Sequence, residues 1–309
     1  MRKRWIILVA CLVAVVSAGC SGGDQPSGSG GATAGQGKVV DVVATTTQVA
    51  DFARVVGGEH VRVTGLIKPN VDAHDFEPSP ADVDAIAKAD LVVKNGVRLE
   101  KWLDDTIKSA GFKGAVVDAS QGVRLRKGEG ELDPHIWQNP RNAQIMVANI
   151  QRGLAQAEPA DAATFKANLD AYTKDLTALD AEVARKIAGL ANKKLVTNHD
   201  AFGYYVDRYG LEFVGSVIPS VDTSAELSGK DIRDLVAKIE QTKVKAVFSE
   251  ASLPPKTAQA IASEAGVKVV AGEDALYGDS LGPAGSDGDT YLKMVRHNTN
   301  TIVSNLSGT

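Results

Sequence analysis

From residue 38 onward, short runs of β-branched and apolar residues alternate with segments of helical period. Val39–Ala44, Val61–Ile67, Leu91–Val93 and Ala115–Val117 are apolar runs edged by Gly, Asn or Asp, and they predict strands. Ser79 followed by Pro80 is an N-cap and first-turn pair, opening a helix through Ala89. Leu99–Ala110 predicts a second helix, stopped by Gly111. The second half repeats the grammar. Leu195–Thr197, Phe213–Ile218, Ala246–Phe248 and Val267–Val270 predict strands, and Phe202–Tyr209, Lys230–Thr242, Pro255–Ala265 and Thr290–Leu306 predict helices. Strand–helix alternation implies parallel sheets covered by helices on both faces.

The strongest periodic signal lies between the halves. Phe165, Leu169, Tyr172, Leu176, Leu179, Val183, Ile187 and Leu190 recur at steps of three or four, one apolar stripe on a helix over 159–190. At 1.5 Å per residue such a helix is ~48 Å long. Its charged face, with Lys166, Asp170, Lys174 and Asp175, needs only solvent. A coiled-coil seam is the competing reading, but the stripe ends after about four heptads and is flanked by folded halves. The expected architecture is therefore α/β: two Rossmann-like lobes with parallel sheets, 38–158 and 191–309, joined by a long rigid α-helix that restrains hinge opening.

The first 37 residues follow other rules. Arg2, Lys3 and Arg4 precede an apolar run from Trp5 to Val16, too short to span a bilayer and of the length of a signal-peptide core. Ser17-Ala18-Gly19-Cys20 resembles the bacterial lipobox, with Ser17 where leucine is usual. A signal peptide over 1–19 and lipidation of Cys20 are the implied processing; an ordinary secretory signal with an incidental cysteine is the rival. Residues 20–37 are rich in Gly and Ser and cannot bury enough apolar surface to offset ordering, so they are expected to form a flexible tether. The chain is then exported and lipid-anchored to the outer face of the cytoplasmic membrane.

Composition narrows the chemistry. The chain has 44% hydrophobic and 23% charged residues and a formal charge of −4, without a basic run. Such a balance suits a globular body and disfavours nucleic acid as a partner. Cys11 and Cys20 both precede the folded region, which removes disulfide frameworks, zinc ribbons and cysteine nucleophiles. Five histidines remain: His60, His74, His135, His199 and His297. Most histidines in proteins are surface or satisfied core residues, and spacings this wide match no local metal motif. Placement is more informative. His199 follows the Leu195–Thr197 strand, His74 and His135 lie in loops after strands of the first half, and Asp279 lies beyond Val267–Val270. Ligands of open α/β sheets bind outside the carboxyl ends of strands, so these four could converge between the lobes. Three imidazoles and a carboxylate make a closed four-coordinate shell for a borderline cation. His60, in a turn before a strand, and His297, inside the last helix, lack that placement.

Several ordered motifs carry a resemblance. They are Val39–Thr47, Ala73-His74-Asp75-Phe76-Glu77-Pro78-Ser79-Pro80, Ala89–Gly96, Asp133-Pro134-His135-Ile136-Trp137, His199–Tyr204, Phe248-Ser249-Glu250 and Asp279-Ser280-Leu281-Gly282. Together they resemble the metal-binding solute receptors of ABC importers, the cluster A-I family serving zinc and manganese uptake. Ala73 and Asn139 stand where that family commonly has proline and aspartate.

The resemblance implies a two-lobed, monomeric, non-enzymatic receptor. It carries the ligand role to His74, His135, His199 and Asp279, and the partners implied are a permease with its cytoplasmic ATPase. The transported ion is Zn2+ or Mn2+, with no catalytic cofactor. His199 stands where many manganese receptors have glutamate, and imidazole suits zinc. Against zinc, Lys127–Glu131 replaces the long His/Asp/Glu-rich loop that zinc members often carry. A metal-bound imidazole usually passes its second N–H to a carboxylate, and Glu250 is the candidate partner, a solvated or capping glutamate being the alternative. Two other readings are a manganese-specific receptor and a zinc-dependent hydrolase, though Asp279 would close the coordination position catalysis needs.

Overall fold

A computed structural model describes residues 37–128 and 130–307. The expected signal peptide, Cys20 and the tether up to residue 36 lie outside them. Among the described residues, no helix is long and apolar enough to cross a membrane.

Two parallel four-stranded sheets organise the chain. The first comprises β1 (Val40–Ala44), β2 (Val61–Gly65), β3 (Leu91–Lys94) and β4 (Ala115–Asp118), in the order β2-β1-β3-β4. The second comprises β5 (Lys194–His199), β6 (Glu212–Ile218), β7 (Ala246–Phe248) and β8 (Lys268–Val270), in the order β6-β5-β7-β8. Val42 to Ala44, Leu91 to Val93 and Ala246 to Phe248 are buried without alternation, because helices cover both faces of a parallel sheet. In each sheet the chain steps to one side of its first strand and then to the other. The topological switch points therefore lie at the carboxyl ends of β1 and β3 and of β5 and β7.

The helices are α1 (Thr47–Gly57), α2 (Pro80–Lys88), α3 (Leu103–Ala110), α4 (Pro140–Ala157), α5 (Ala162–Ala188), α6 (Gly203–Tyr209), α7 (Gly229–Thr242), α8 (Lys256–Glu264) and α9 (Tyr291–Leu306). Ser79 caps α2 reciprocally: its hydroxyl accepts the Asp82 N–H and Asp82 accepts the Ser79 N–H. The sequence pattern did not predict α1. Val49, Ala50, Phe52, Ala53 and Val56 are buried, and so are Gln48 and Asp51, so the polar residues that would mark an outer face are themselves inside. Helix α3 starts at Leu103 rather than Leu99; Gly96, Val97 and Arg98 just ahead take positive φ, 90°, 54° and 63°, and the buried Glu100 carboxylate turns back to accept the Asn95 and Gly96 N–H groups. Strand β5 runs two residues further than expected and includes His199.

The long connector begins with a 3₁₀ turn, Pro159–Asp161, and continues as the 27-residue α5, ~40 Å long at 1.5 Å per residue. Its stripe from Phe165 to Ile187 is buried against α1, α4 and α9, while Lys166, Asp170, Lys174 and Asp175 face solvent. Helix α9, from the end of the described chain, returns to the first half. The Asp51 carboxylate accepts the Tyr291 N–H at 3.0 Å, and Phe52 meets Tyr291 edge to face at 4.8 Å. One apolar core thus runs from β1 through α1, α4, α5 and α6 to α9.

Leu176 is fully buried in that core. Replacing it by Ala is expected to lower the unfolding free energy by about 2–5 kcal/mol in urea titration. A loss under 1 kcal/mol would mean that α5 is not tightly packed at its middle.

Candidate metal centre

His199 ends β5, at the switch point of the second sheet, and Glu250 follows β7 beside it. His135 opens a single 3₁₀ turn ahead of α4, and His74 lies in the irregular segment between β2 and α2. Asp279 lies between β8 and α9. Four separate chain segments meet here: ligand-capable atoms of His74, His135, His199 and Asp279 all lie within 4.8 Å of one another. His135, His199 and Asp279 are fully buried, and the His74 side chain is 4% exposed.

The spacing is specific. Nε2 of His135 lies 3.2 Å from Nε2 of both His74 and His199. Asp279 Oδ1 is 3.2 Å from His135 Nε2 and 3.4 Å from His199 Nε2, and Oδ2 is 3.6 Å from His74 Nε2. A tetrahedron of ligands about 2.0–2.1 Å from a central zinc has edges of about 3.3–3.4 Å. The contacts of His135 with His74 and His199, and of Asp279 Oδ1 with His135 and His199, fall close to those edges, while His74 meets the carboxylate through Oδ2 at the longer 3.6 Å. Neither Asp279 oxygen has a hydrogen-bond partner, although both are buried. A buried carboxylate without a partner is costly, and a cation at the centre is the group that would satisfy it.

Each buried imidazole is oriented from behind. Asp133 Oδ1 lies 2.7 Å from His135 Nδ1 and accepts the His135 backbone N–H at 2.9 Å. Glu250 Oε1 lies 2.9 Å from His199 Nδ1 and accepts the His199 N–H at 3.0 Å. Both contacts direct Nε2 inward. Gly278, beside Asp279, has no room for a side chain, since a Cβ would overlap the Glu250 carboxylate. Its carbonyl accepts from Trp137 Nε1 and Gln138 Nε2, each at 3.0 Å, which ties the Asp279 segment directly to the His135 turn.

His74 is held differently. Its backbone N–H donates to Asp72 Oδ1 at 2.9 Å, and Thr223 of the other half donates to Asp72 Oδ2 at 2.7 Å. A cleft of about 360 Å3, walled in part by Arg98, Leu132, Pro134 and Asp222, opens onto His74. Lys101 and Asp222 pair across its mouth at 2.5 Å.

Asp133 was quoted in the sequence without a role. The signal was available: Asp72-Ala73-His74 and Asp133-Pro134-His135 share an aspartate two residues before a histidine, and in both it accepts the histidine N–H. Such Asx turns are local, so spacing alone can suggest them. Trp137 and Gln138 had no such signal, because their partner Gly278 lies 141 and 140 residues away. His60 and His297 lie outside the cluster. His60 Nδ1 is 2.9 Å from Asp161, and His297 Nε2 is 2.9 Å from the Ala275 carbonyl.

The buried charges set the imidazoles apart. Burial pushes His135 down, but the Asp133 and Asp279 carboxylates outweigh it and raise its pKa to about 9. Burial also opposes protonation of His199, yet Glu250 and Asp279 carry it well above the usual value. His74 is lowered to about 4, mainly by burial, Asp279 only partly opposing. Asp279 is held well below the usual carboxylate range: burial opposes ionisation, and the imidazoles around it win. In the metal-free protein, His135 protonation stabilises the fold below pH 6.5 and that contribution is lost as pH rises through about 9. His74 acts in the opposite sense, losing stability as pH falls from 6.5 toward 4.

Comparison with known proteins places these features in context. Residues 42–305 match the family described as zinc-uptake complex component A, periplasmic. The chain is 34% identical over 277 residues to the manganese-binding lipoprotein MntA of Bacillus subtilis, covering 86% of this chain and 90% of that one. It is 35% identical over 274 residues to the zinc-binding protein TroA of Treponema pallidum, covering 86% and 88%. A solved structure of periplasmic zinc-binding TroA from Treponema pallidum superposes with a TM-score of 0.80 at 32% identity, over 87% of this chain and 99% of that chain. The two-lobed α/β architecture is thus that of TroA.

Nitrogen-15 histidine spectra of metal-free protein should show one imidazole still protonated above pH 7.5 and another still neutral at pH 5.5. Three ordinary titrations near 6.5 would contradict the charge arrangement.

Proposed function

The chain belongs to the zinc-uptake complex component A family of periplasmic proteins, and from that membership we propose an extracytoplasmic, non-enzymatic receptor that captures one divalent transition-metal ion between its lobes and delivers it to an ABC permease driven by a cytoplasmic ATPase. His74, His135, His199 and Asp279 are the ligands in this reading, and Cys20 carries the lipid that anchors residues 38–158 and 191–309 near the permease. One observation carries the ligand assignment: inward-facing atoms from four distant segments lie within 4.8 Å of one another, with Nε2 and carboxylate contacts of 3.2–3.6 Å.

Zinc is the favoured ion. Three neutral imidazoles suit zinc, and a tetrahedral shell with four protein ligands leaves no vertex for a reacting water. The same closure argues against a zinc-dependent hydrolase. Manganese is the second reading, favoured by the 34% identity to a protein described as manganese-binding. Asp279 also turns Oδ2 toward His74 while Oδ1 faces the other two histidines. A carboxylate so placed can supply a second oxygen to a larger, oxygen-preferring ion.

Capture is a proton exchange. Metal binding requires neutral Nε2 atoms, and the raised values of His135 and His199 mean that their protons must leave. Affinity therefore rises with pH up to about 9 and falls in acid. The buried carboxylates behind the imidazoles lose their protonated neighbours as the dication arrives, so the local charge changes little.

Calorimetric titration of the metal-free protein with zinc and with manganese should give a stoichiometry near one, with an enthalpy that depends on the buffer's own ionisation heat. His135→Ala should weaken binding by more than the roughly 10–100-fold that loss of an outer partner costs. His60→Gln should leave it unchanged. A stoichiometry near zero would reject the receptor reading, and tighter manganese binding in the same buffer would reverse the choice of ion.

A further inference from the structure

Arg126 reaches the centre without touching it. It lies in the loop after β4, where its carbonyl accepts the Asp133 N–H at 3.1 Å, so residues 126 and 133 face each other at the base of a short excursion. Its Nη1 donates to Asp133 Oδ2 at 2.7 Å, while the other oxygen of that carboxylate holds His135 Nδ1. The guanidinium also crosses to the second half. Nε donates to Asp207 Oδ2 on α6 at 3.1 Å, and the Arg126 backbone N–H donates to the Tyr204 hydroxyl at 3.1 Å. Tyr204 in turn donates to the Asp133 carbonyl at 3.0 Å. Asp133 is thereby gripped at its carboxylate by Arg126 and at its backbone by α6.

Gly203, the first residue of α6, makes the arrangement possible. A Cβ at that position would overlap the Arg126 guanidinium. The φ of Gly203 is not positive, so the backbone alone does not require glycine here. What a side chain there would displace is the guanidinium itself. Gly203 is four residues beyond His199, so the notch receiving Arg126 belongs to the segment that carries the other fully buried imidazole.

We propose that Arg126, seated in the notch left by Gly203, is a positioning residue for the cargo ligand His135, fixing Asp133 and hence the imidazole relative to the helix that follows His199. The proposal rests on the receptor reading above and adds a coupling between the lobes. The guanidinium's rigid fork bridges two carboxylates, Nη1 to Asp133 and Nε to Asp207, and so fixes where Asp133 sits relative to α6. Aspartate in turn sets the ring orientation of the metal-bound histidine. Any shift of α6 that withdraws the notch would loosen His135 without displacing a ligand directly. The rival reading is a tie between Arg126 and Asp207 at the surface that contributes only to folding. Asp207 is 64% exposed, and an exposed ion pair contributes little to stability.

The full-length protein supplies the test. Zinc affinity and the rate of zinc release to a chelator are measured for wild type, Arg126→Gln, Arg126→Lys, Gly203→Ala and the Arg126→Gln/Gly203→Ala double variant, with thermal melts of each metal-free form. Cobalt(II) absorption of the same set reports the geometry of the shell. Arg126→Gln and Gly203→Ala should each weaken zinc about 10–100-fold, speed release and change the cobalt bands. Arg126→Lys should fall between, keeping the charge but losing the fork. The double variant should be no weaker than Arg126→Gln, because both remove one contact. Wild-type affinity and cobalt bands in Arg126→Gln and Gly203→Ala would overturn the positioning role, and so would additive losses. Gly203→Ala, which leaves every charge in place, serves as the deciding variant if Arg126→Gln melts too early to measure. Absence of stoichiometric binding in the wild type would instead strike the receptor reading itself.

Discussion

A carboxylate stripped of water and of hydrogen-bond partners is the constraint around which the rest of the molecule is arranged. Asp279 is fully buried, its two oxygens are unpartnered, and three imidazole nitrogens stand 3.2–3.6 Å away. In the metal-free protein, protonated imidazoles answer the charge of that carboxylate, which they hold ionised. With a dication at its centre the grouping becomes a satisfied shell. Cargo and fold are thus linked, because an ion bound only by the assembled shell stabilises the folded chain.

The surroundings can be understood as the means of holding that shell against its own repulsion. Asp133 and Glu250 restrain the two interior imidazoles from behind, and the Gly278 carbonyl is gripped by Trp137 and Gln138 from the opposite half. Behind these contacts stands the continuous core of α1, α4, α5, α6 and α9. A buried 27-residue connector with α9 folded back across it makes the seam between the halves part of the interior. The contrast is His74, in irregular backbone at the cleft, with only its main chain tied through Asp72. The shell is stiff on three sides and open to adjustment on the fourth.

Some of the site was legible because the local sequence carries its own physics. The short Val- and Leu-rich runs marked the strands, the step-of-three-or-four stripe marked α5, and placement after strands singled out His74, His135, His199 and Asp279 while passing over His60 and His297. Glu250 was named for its position at the sheet edge and stands on His199 Nδ1. Asp133 was missed although its Asx spacing was visible. Helix α1 was missed because burial of Gln48 and Asp51 erased the polar face that periodicity needs. The turn ahead of α3 takes three positive φ values in a row, which no composition rule anticipates for Val97 and Arg98.

The sequence alone, then, determined most of the element types, the repeated βα grammar and which four side chains are the candidate ligands, since each depends on residues within a few positions of one another, on side-chain type or on placement after a strand. Only the tertiary structure decided the distances. The close approach of the three imidazoles and Asp279, the grip of Trp137 and Gln138 on Gly278, and the seat of Arg126 against Gly203 join residues 61 to 205 positions apart. Such pairs leave no periodic trace in the chain, because their geometry is set by how two sheets pack through a shared core.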